Sequence, residues 1–222
     1  MIPQPWSFTR LADFKNCPRQ FYEKHIAKSF VDEGNEASIW GQRVHSAFEE
    51  RLKDGVVLPS ELEIHEPAML WLEQLPGDQY IEQDVALNTC GKPCGKWDED
   101  VWFRGVIDVL KVDGVEALIR DWKTGKPHMD FIQLNLFAIH TFLAHPDVQR
   151  IRAEYYWTQT SSRSGATFMC DDMAALWKPF LGDLKQYAEA FQTDTWQPRQ
   201  SGLCRGWCQV TDCEFWQPKR TK

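Results

Sequence analysis

The chain has 222 residues, 43% of them hydrophobic and 26% charged, a composition typical of one globular domain. Its net charge of −7 argues against a protein that coats duplex DNA through a broad basic surface, and no apolar run reaches the length of a membrane span. The first residues have neither the basic start nor the apolar stretch of a signal peptide, so we expect a cytoplasmic protein.

Helices are predicted over three stretches of the first third of the chain, at about 7–27, 37–52 and 60–75. Pro18 is expected to kink the first helix, and Pro67 to interrupt the third. The second helix is expected to bury an apolar stripe that consists of Trp40, Val44, Phe48 and Leu52.

The rest of the chain alternates strand and helix patterns. Strands are predicted at 80–88, 97–112, 115–123, 151–158 and 166–170, turns at 90–95 and 161–165, and helices at 130–145 and 171–191. The last thirty residues are aperiodic and rich in cysteine, tryptophan and glycine. This order predicts a mixed sheet flanked by helices, in the α/β or α+β class.

The strongest local signal is Asp113-Gly114, which predicts a tight hairpin between two apolar strands. If these two residues form the turn, Val112 faces Val115. Asp108 then lies opposite Ile119.

In that pairing Asp121 is the diagonal neighbour of Asp108, about 7–8 Å away, and alternation puts Lys123 on the same side. Two acids among apolar residues cost free energy that a cation offsets. Mg²⁺ prefers carboxylate oxygen, and a metal beside a lysine predicts phosphodiester hydrolysis. The alternative is a surface hairpin with scattered charge. We interpret Glu82, on the preceding strand, as a solvated residue rather than as a further acid of this site.

Three motifs follow one another: Gly105-Val106-Ile107-Asp108, Asp121-Trp122-Lys123 and Gln133-Leu134-Asn135-Leu136-Phe137. Together they resemble the PD-(D/E)XK nuclease superfamily, and within it the RecB-like group. That group has a Gly-Val-Ile-Asp-type strand, Asp-x-Lys on the next strand, and a Gln-x-x-x-Tyr helix. Phe137 stands where the group has tyrosine. The group also carries an upstream helical histidine as a metal ligand, and His45 matches it.

The resemblance implies a restriction-endonuclease-like fold and a Mg²⁺ or Mn²⁺ cofactor. The implied metal ligands are His45, Asp108, Asp121 and the backbone carbonyl of Trp122. Lys123 would help to activate water, and Gln133 would position the DNA strand.

The seven cysteines are an odd number in a chain with no export signal, so disulfides are not expected. Cys17 lies near the start, and Cys204, Cys208 and Cys213 lie near the end. Four thiolates suit an iron–sulfur cluster or zinc, and the alternative is a cysteine-rich tail.

A subgroup of RecB-like nucleases, which includes CRISPR spacer-acquisition exonucleases of the Cas-four type and the AddB nuclease domain, holds a [4Fe-4S] cluster with one N-terminal and three C-terminal cysteines. Similarity to it implies the same ligation by these four residues, with Zn²⁺ as the alternative occupant. The spacing here is Cys-x3-Cys-x4-Cys, whereas the usual trio is Cys-x2-Cys-x5-Cys.

We therefore expect one RecB-like domain over 1–222, with a catalytic core at about 37–195 and cluster-binding ends at 7–28 and 197–217. Similarity to the cluster-bearing members implies a DNA exonuclease that acts on single-stranded ends. A protein partner in recombination, replication or CRISPR adaptation and a phage origin fit the same group. The alternatives are a non-catalytic DNA-binding or assembly factor and a structure-specific endonuclease. The basic tail at 219–222 is expected to fray.

Overall fold

A computed structural model describes residues 4–31 and 34–218, so the basic tail at 219–222 lies outside the described residues. The helices are α1 (Phe8–Asn16), α2 (Pro18–Phe21), α3 (Glu36–Asp54), α4 (Glu66–Gln74), α5 (Ile132–Ala144) and α6 (Met173–Thr193). The strands are β1 (Asp78–Asn88), β2 (Val101–Asp113), β3 (Glu116–Lys123), β4 (Arg150–Trp157) and β5 (Ser162–Met169). Shorter helical turns cover Tyr22–Ile26, Glu63–His65, Cys170–Asp172 and Gly202–Cys204.

The five strands form one sheet in the order β1-β2-β3-β4-β5. Neighbouring strands are antiparallel except β3 and β4, which are parallel and are joined through α5. A parallel pair needs such a crossover, because a tight hairpin reverses the chain direction. The predicted class, a mixed sheet flanked by helices, is confirmed.

A buried cluster packs α3 and α4 against the sheet. It consists of Val44, Phe48 and Leu52 of α3, Met69 and Leu72 of α4, and Leu58, Leu62, Val109, Leu118, Trp122 and Tyr156. The start of α3 is fixed by a capping box, in which the Asn35 side chain accepts a hydrogen bond from the Ser38 N–H at 3.0 Å and Ser38 reciprocates. Its end is fixed by Gly55 at φ 70°, a left-handed conformation that suits glycine.

Two predicted helices are divided differently in the structure. The one at 7–27 ends at Asn16, since Cys17 is extended (φ −162°, ψ 108°) and Pro18 begins α2. Pro67 lies in the first turn of α4, where its missing N–H costs nothing, so it starts that helix instead of interrupting it.

The prediction that Trp40 is buried is wrong, because its exposed fraction is 37%. The buried stripe of α3 begins at Val44, and the first two turns of the helix are mostly exposed.

The predicted hairpin register is wrong by two residues. Asp113 pairs with Glu116 and Val112 with Ala117, so Leu110, not Asp108, lies opposite Ile119. The turn centres on Gly114-Val115, and positive φ is confined to Gly114 (57°), as in a type II′ turn with glycine first.

Strand limits also differ from prediction around two segments. The second strand begins at Val101 rather than at 97, and the predicted turn at 161–165 belongs largely to β5. Gly165 lies within β5, where the backbone of β4 comes close. A side chain does not fit at this position, because a Cβ there would lie 2.1 Å from the carbonyl oxygen of Ala153.

The chain divides into two compact units. One comprises Gly34–Pro179 and contains the sheet with α3, α4 and α5, and the other comprises Met1–Glu33 with Phe180–Lys222. Among the described residues, no helix combines the length and the apolar character that crossing a membrane requires.

Candidate metal-dependent active site

Three elements of the larger unit meet at His45. Its Nδ1 lies 3.4 Å from Oδ1 of Asp108 on β2, and its Nε2 lies 3.1 Å from the carbonyl oxygen of Trp122 on β3. The other carboxylate oxygen of Asp108 accepts a hydrogen bond from the Trp122 N–H at 2.7 Å. The hairpin ladder ends at Val109 opposite Arg120, and this side-chain bond continues the link between β2 and β3 beyond it.

Glu82 joins this group, contrary to the interpretation of it as a solvated strand residue. Its Oε1 lies 3.8 Å from Nδ1 of His45, and the ligand atoms of His45, Glu82 and Asp108 all lie within 4.8 Å of one another. Glu82 has φ 49°, a left-handed conformation that costs a non-glycine residue roughly 1–3 kcal/mol. It also falls at a gap in the β1–β2 ladder, between the pairs Ile81–Val109 and Gln83–Ile107. The chain therefore holds a strained residue at this position, with its carboxylate beside His45.

The carboxylates dominate the protonation of His45. Burial by itself would lower the pKa of the imidazole, but hydrogen bonds to Asp108 and Glu82 outweigh burial and raise that pKa to about 10. Without a metal, a proton on His45 thus balances the negative charge of the cluster. A metal ion that binds here must displace this proton, because a coordinating imidazole is neutral.

Asp121 and Lys123 form a second, connected group. Nζ of Lys123 lies 2.6 Å from Oδ2 of Asp121 and donates a hydrogen bond of 2.8 Å to Oε1 of Gln133 on α5. The same ammonium lies 5.0 Å from the ring centroid of Tyr155 on β4. Burial and the charge of Asp108 raise the pKa of Asp121 to about 7, although Lys123 opposes the shift. A carboxylate whose pKa is raised by a neighbouring carboxylate is a common feature of functional sites.

The donors suit a hard divalent cation. Carboxylate and carbonyl oxygens with a single imidazole match the preferences of Mg²⁺ and Mn²⁺, whereas a zinc or copper site would favour more nitrogen or sulfur. The buried Oδ2 of Asp121 has no hydrogen bond of good geometry, so it keeps capacity for a further electrostatic partner besides Lys123.

The four candidate cluster cysteines meet in the smaller unit. Cys17, Cys204, Cys208 and Cys213 line one small cavity. Backbone N–H groups point at two of the sulfur atoms: Arg199 N–H donates to Sγ of Cys17 and Ser201 N–H to Sγ of Cys204, each at 3.4 Å. Burial, together with the other three thiols, raises the pKa of Cys208.

A comparison with known families matches the first part of the chain. Residues 5–83, which contain Cys17, His45 and Glu82, match the family described as the PD-(D/E)XK nuclease superfamily. The match ends before β2.

Two solved structures resemble the whole chain. A candidate exonuclease from Eubacterium rectale has a TM-score of 0.60 at 11% identity, over 91% of this chain and 86% of that chain, which shows a shared fold. The protein SSO0001 has a TM-score of 0.48 at 16% identity, over 95% of this chain and 86% of that chain. The search of curated proteins finds no match.

The two ends of the segment 133–137 on α5 have different surroundings. Gln133, at its start, bonds to Lys123, whereas Phe137 is only 3% exposed and packs inside the unit. Gly105 lies beside it: a Cβ at position 105 would be 3.5 Å from the ring of Phe137, an ordinary contact distance, but only 3.1 Å from Val85. Phe137 is therefore a packing residue in this chain.

The structure brings together the residues that the sequence selected, in two linked groups. His45, Asp108 and the Trp122 carbonyl form one group, and Asp121, Lys123 and Gln133 form the other. Sequence reasoning set Glu82 aside and did not consider Tyr155. The only signal for Glu82 was an acid in an alternating strand, and its partner depends on the β1–β2 register, which no local pattern specifies.

Proposed function

We propose that this chain is a PD-(D/E)XK nuclease, a metal-dependent deoxyribonuclease that removes nucleotides from the ends of single-stranded DNA. The observation that supports this most is the position of Lys123, whose ammonium contacts both Asp121 and Gln133 beside the His45, Glu82 and Asp108 cluster. A purely structural ion pair would not need a second group of ligands next to it.

His45, Asp108, Asp121 and the Trp122 carbonyl would hold one or two Mg²⁺ or Mn²⁺ ions, and Glu82 adds a further carboxylate. When bound, the metal supplies Lewis acidity toward a phosphodiester and lowers the pKa of water. The protein contributes the placement of these ligands and the balance of charge around them.

We assign to Lys123 the roles of helping to activate the attacking water and of stabilising the charge that develops on the phosphate. Its ammonium is fixed on one side by Asp121 and on the other by Gln133, so little reorganisation is needed for it to face a developing negative charge. Gln133 accepts a hydrogen bond from Lys123 through Oε1, and we assign its amide nitrogen to the DNA strand.

The preference for single strands rests on the resemblance to the RecB-like group and on the surface beside His45. The first turns of α3 expose Ile39 and Trp40, and the guanidinium of Arg43 lies 5.8 Å from the Trp40 ring. Exposed aromatic and arginine side chains stack on unpaired bases with little regard to sequence. With a net charge of −7, the chain has no excess of positive charge to bind duplex DNA non-specifically.

We propose that the four cysteines hold a [4Fe-4S] cluster. Tetrahedral zinc with Zn–S bonds of about 2.3 Å places its sulfur ligands roughly 3.8 Å apart. No three of these four described sulfur atoms lie within 4.8 Å of one another, a spacing that favours a larger group than one ion. The N–H donors at Cys17 and Cys204 are the kind of contact that tunes a cluster's potential.

The function is tested with end-labelled DNA in Mn²⁺. Wild-type protein should shorten linear single-stranded DNA from its ends, and Asp121→Ala and Lys123→Ala should each lower the rate by at least about a hundredfold while they keep the fold by circular dichroism. Cleavage of circular single strands would instead indicate an endonuclease.

The non-catalytic alternative makes the opposite prediction. A DNA-binding or assembly factor would retain DNA binding without any cleavage, and both substitutions would leave its behaviour unchanged. The packing role of Phe137 is compatible with either function, because the residue lies in the interior.

A further inference from the structure

A second polar site lies in the larger unit, in a cleft of about 390 Å³ beside α4. Its walls include Trp71, Leu75 and Pro76 from α4 and its end, and Leu118 from β3. The volume is at the lower end of the range for small-molecule pockets, roughly 300–1,000 Å³. None of the residues assigned above to metal or DNA lines this cleft.

The distinctive residue of the cleft is Lys111, which is only 6% exposed. On β2 it pairs across the sheet with Gln79 and Leu118, and Leu118 belongs to the buried cluster under α3 and α4. Within the described ranges 4–31 and 34–218, the side chain of Lys111 makes no hydrogen bond or ion pair. Its neighbour Gln79 has a buried Oε1 that likewise lacks a hydrogen bond. Lys111 lines the cleft, and among the described residues its ammonium forms no ion pair, so the cleft favours a negatively charged occupant.

The rest of the lining fits a phosphate that carries an apolar group. Arg150 and Arg152 line the cleft, and each uses only part of its donors on a carboxylate: Arg150 on Glu116 at 3.0 Å and Arg152 on Glu154 at 2.8 Å. Guanidinium groups and an ammonium together suit the several oxygens of a phosphate. With Asp113 and Glu116, the lining residues carry three cations against two acids.

We propose that this cleft binds a nucleoside monophosphate, with its phosphate on Lys111 and its base against the Trp71 and Leu75 wall. The assignment to a nucleotide rests on the proposed function, because an exonuclease releases this class of product. The volume admits one nucleotide and not a strand, so the site would respond to product and would not hold substrate.

The test is calorimetric titration with deoxyadenosine monophosphate in EDTA, which keeps metal out of the His45 cluster. Wild-type protein should bind with a dissociation constant below about 1 mM, and Lys111→Met should weaken binding at least tenfold. Lys53→Met, an exposed lysine of α3 that pairs with Glu49, is the matched control and should bind as the wild type does. If Lys111→Met does not fold, Arg152→Gln replaces it and should weaken binding severalfold.

Three results overturn the proposal: no binding by the wild type, equal binding by Lys111→Met, or orthophosphate that binds as tightly as the nucleotide. The nuclease assay is run on the same preparations. If the wild type is active but binds no nucleotide, only the proposal for the cleft is refuted. If it binds the nucleotide but is inactive, only the proposed nuclease function is refuted.

Discussion

At the level of single residues, Glu82 combines an unfavourable backbone conformation with a favourable position of its charge. Its left-handed backbone costs stability, and in return its carboxylate lies 3.8 Å from His45. Residues held in such conformations are concentrated at functional sites, and the ligand cluster around His45 gives this one a chemical reason.

If Glu82 is a metal ligand, Glu82→Gln should raise the Mn²⁺ concentration for half-maximal nuclease activity about tenfold, because a weak neutral ligand replaces a carboxylate. The free energy of unfolding in EDTA should change little, since the amide is isosteric. Glu49→Gln, which removes a half-buried acid of the same unit, is the control. An unchanged Mn²⁺ requirement in Glu82→Gln would exclude the residue from the metal centre.

At the scale of elements, α5 connects the site to the interior. Gln133 at its start contacts Lys123, and His140, two turns later, is 8% exposed. Burial, reinforced by the charge of His145, lowers the pKa of His140 to about 4, although a hydrogen bond with the backbone of Ala86 opposes the shift. Burial also lowers the pKa of His65.

The low pKa of His140 predicts a loss of stability in acid. Between pH 6.5 and 4 the unfolded chain binds a proton at this residue and the folded chain does not, so the free energy of unfolding falls as the pH falls. Between pH 7 and pH 5, His140 alone should lower the free energy of unfolding by about 2 kcal/mol. Urea unfolding in EDTA at pH 7 and pH 5 should show this loss of stability. The His140→Gln variant should lack most of the part that is due to His140. If the variant keeps the full pH dependence, the assignment of the effect to His140 is wrong.

Helices and strands could be predicted from the sequence where a single local pattern specifies their type and position. Alternation and helical spacing located the five strands and the long helices, and Asp113-Gly114 located the hairpin. The register was not predictable, because Gly114 fits either central position of a two-residue turn. The structure uses the first position, which moves the pairing by two residues.

At the scale of the whole molecule, the α+β class followed from the order of the elements, whereas Glu82 did not follow from any local pattern. Its place beside Asp108 requires the β1–β2 register and a left-handed residue in the strand, and both arise from tertiary packing. His45 was found through its resemblance to the histidine of a known family, since a lone histidine beside an apolar stripe is usually a packing residue.

If the four cysteines hold a [4Fe-4S] cluster, the iron content and the colour of the protein should depend on Cys208. Protein purified without oxygen should be brown and contain about four iron atoms per chain, and Cys208→Ser should lose the colour and melt at a lower temperature, because the ligated group supports folding. Cys90→Ser, in an exposed turn, should keep both. A colourless wild type with one zinc per chain would replace the iron–sulfur assignment with a zinc site.

The central claim is that Lys123 acts on DNA in a metal-dependent nuclease, and one comparison tests it most directly. Degradation of end-labelled single-stranded DNA in Mn²⁺ is measured for wild type, Lys123→Met and Lys126→Met, where Lys126 lies just past the motif in an exposed loop. We expect activity in the wild type and in Lys126→Met and a loss of at least about a hundredfold in Lys123→Met. An inactive wild type, or a Lys123→Met variant that cuts at the wild-type rate, would contradict it.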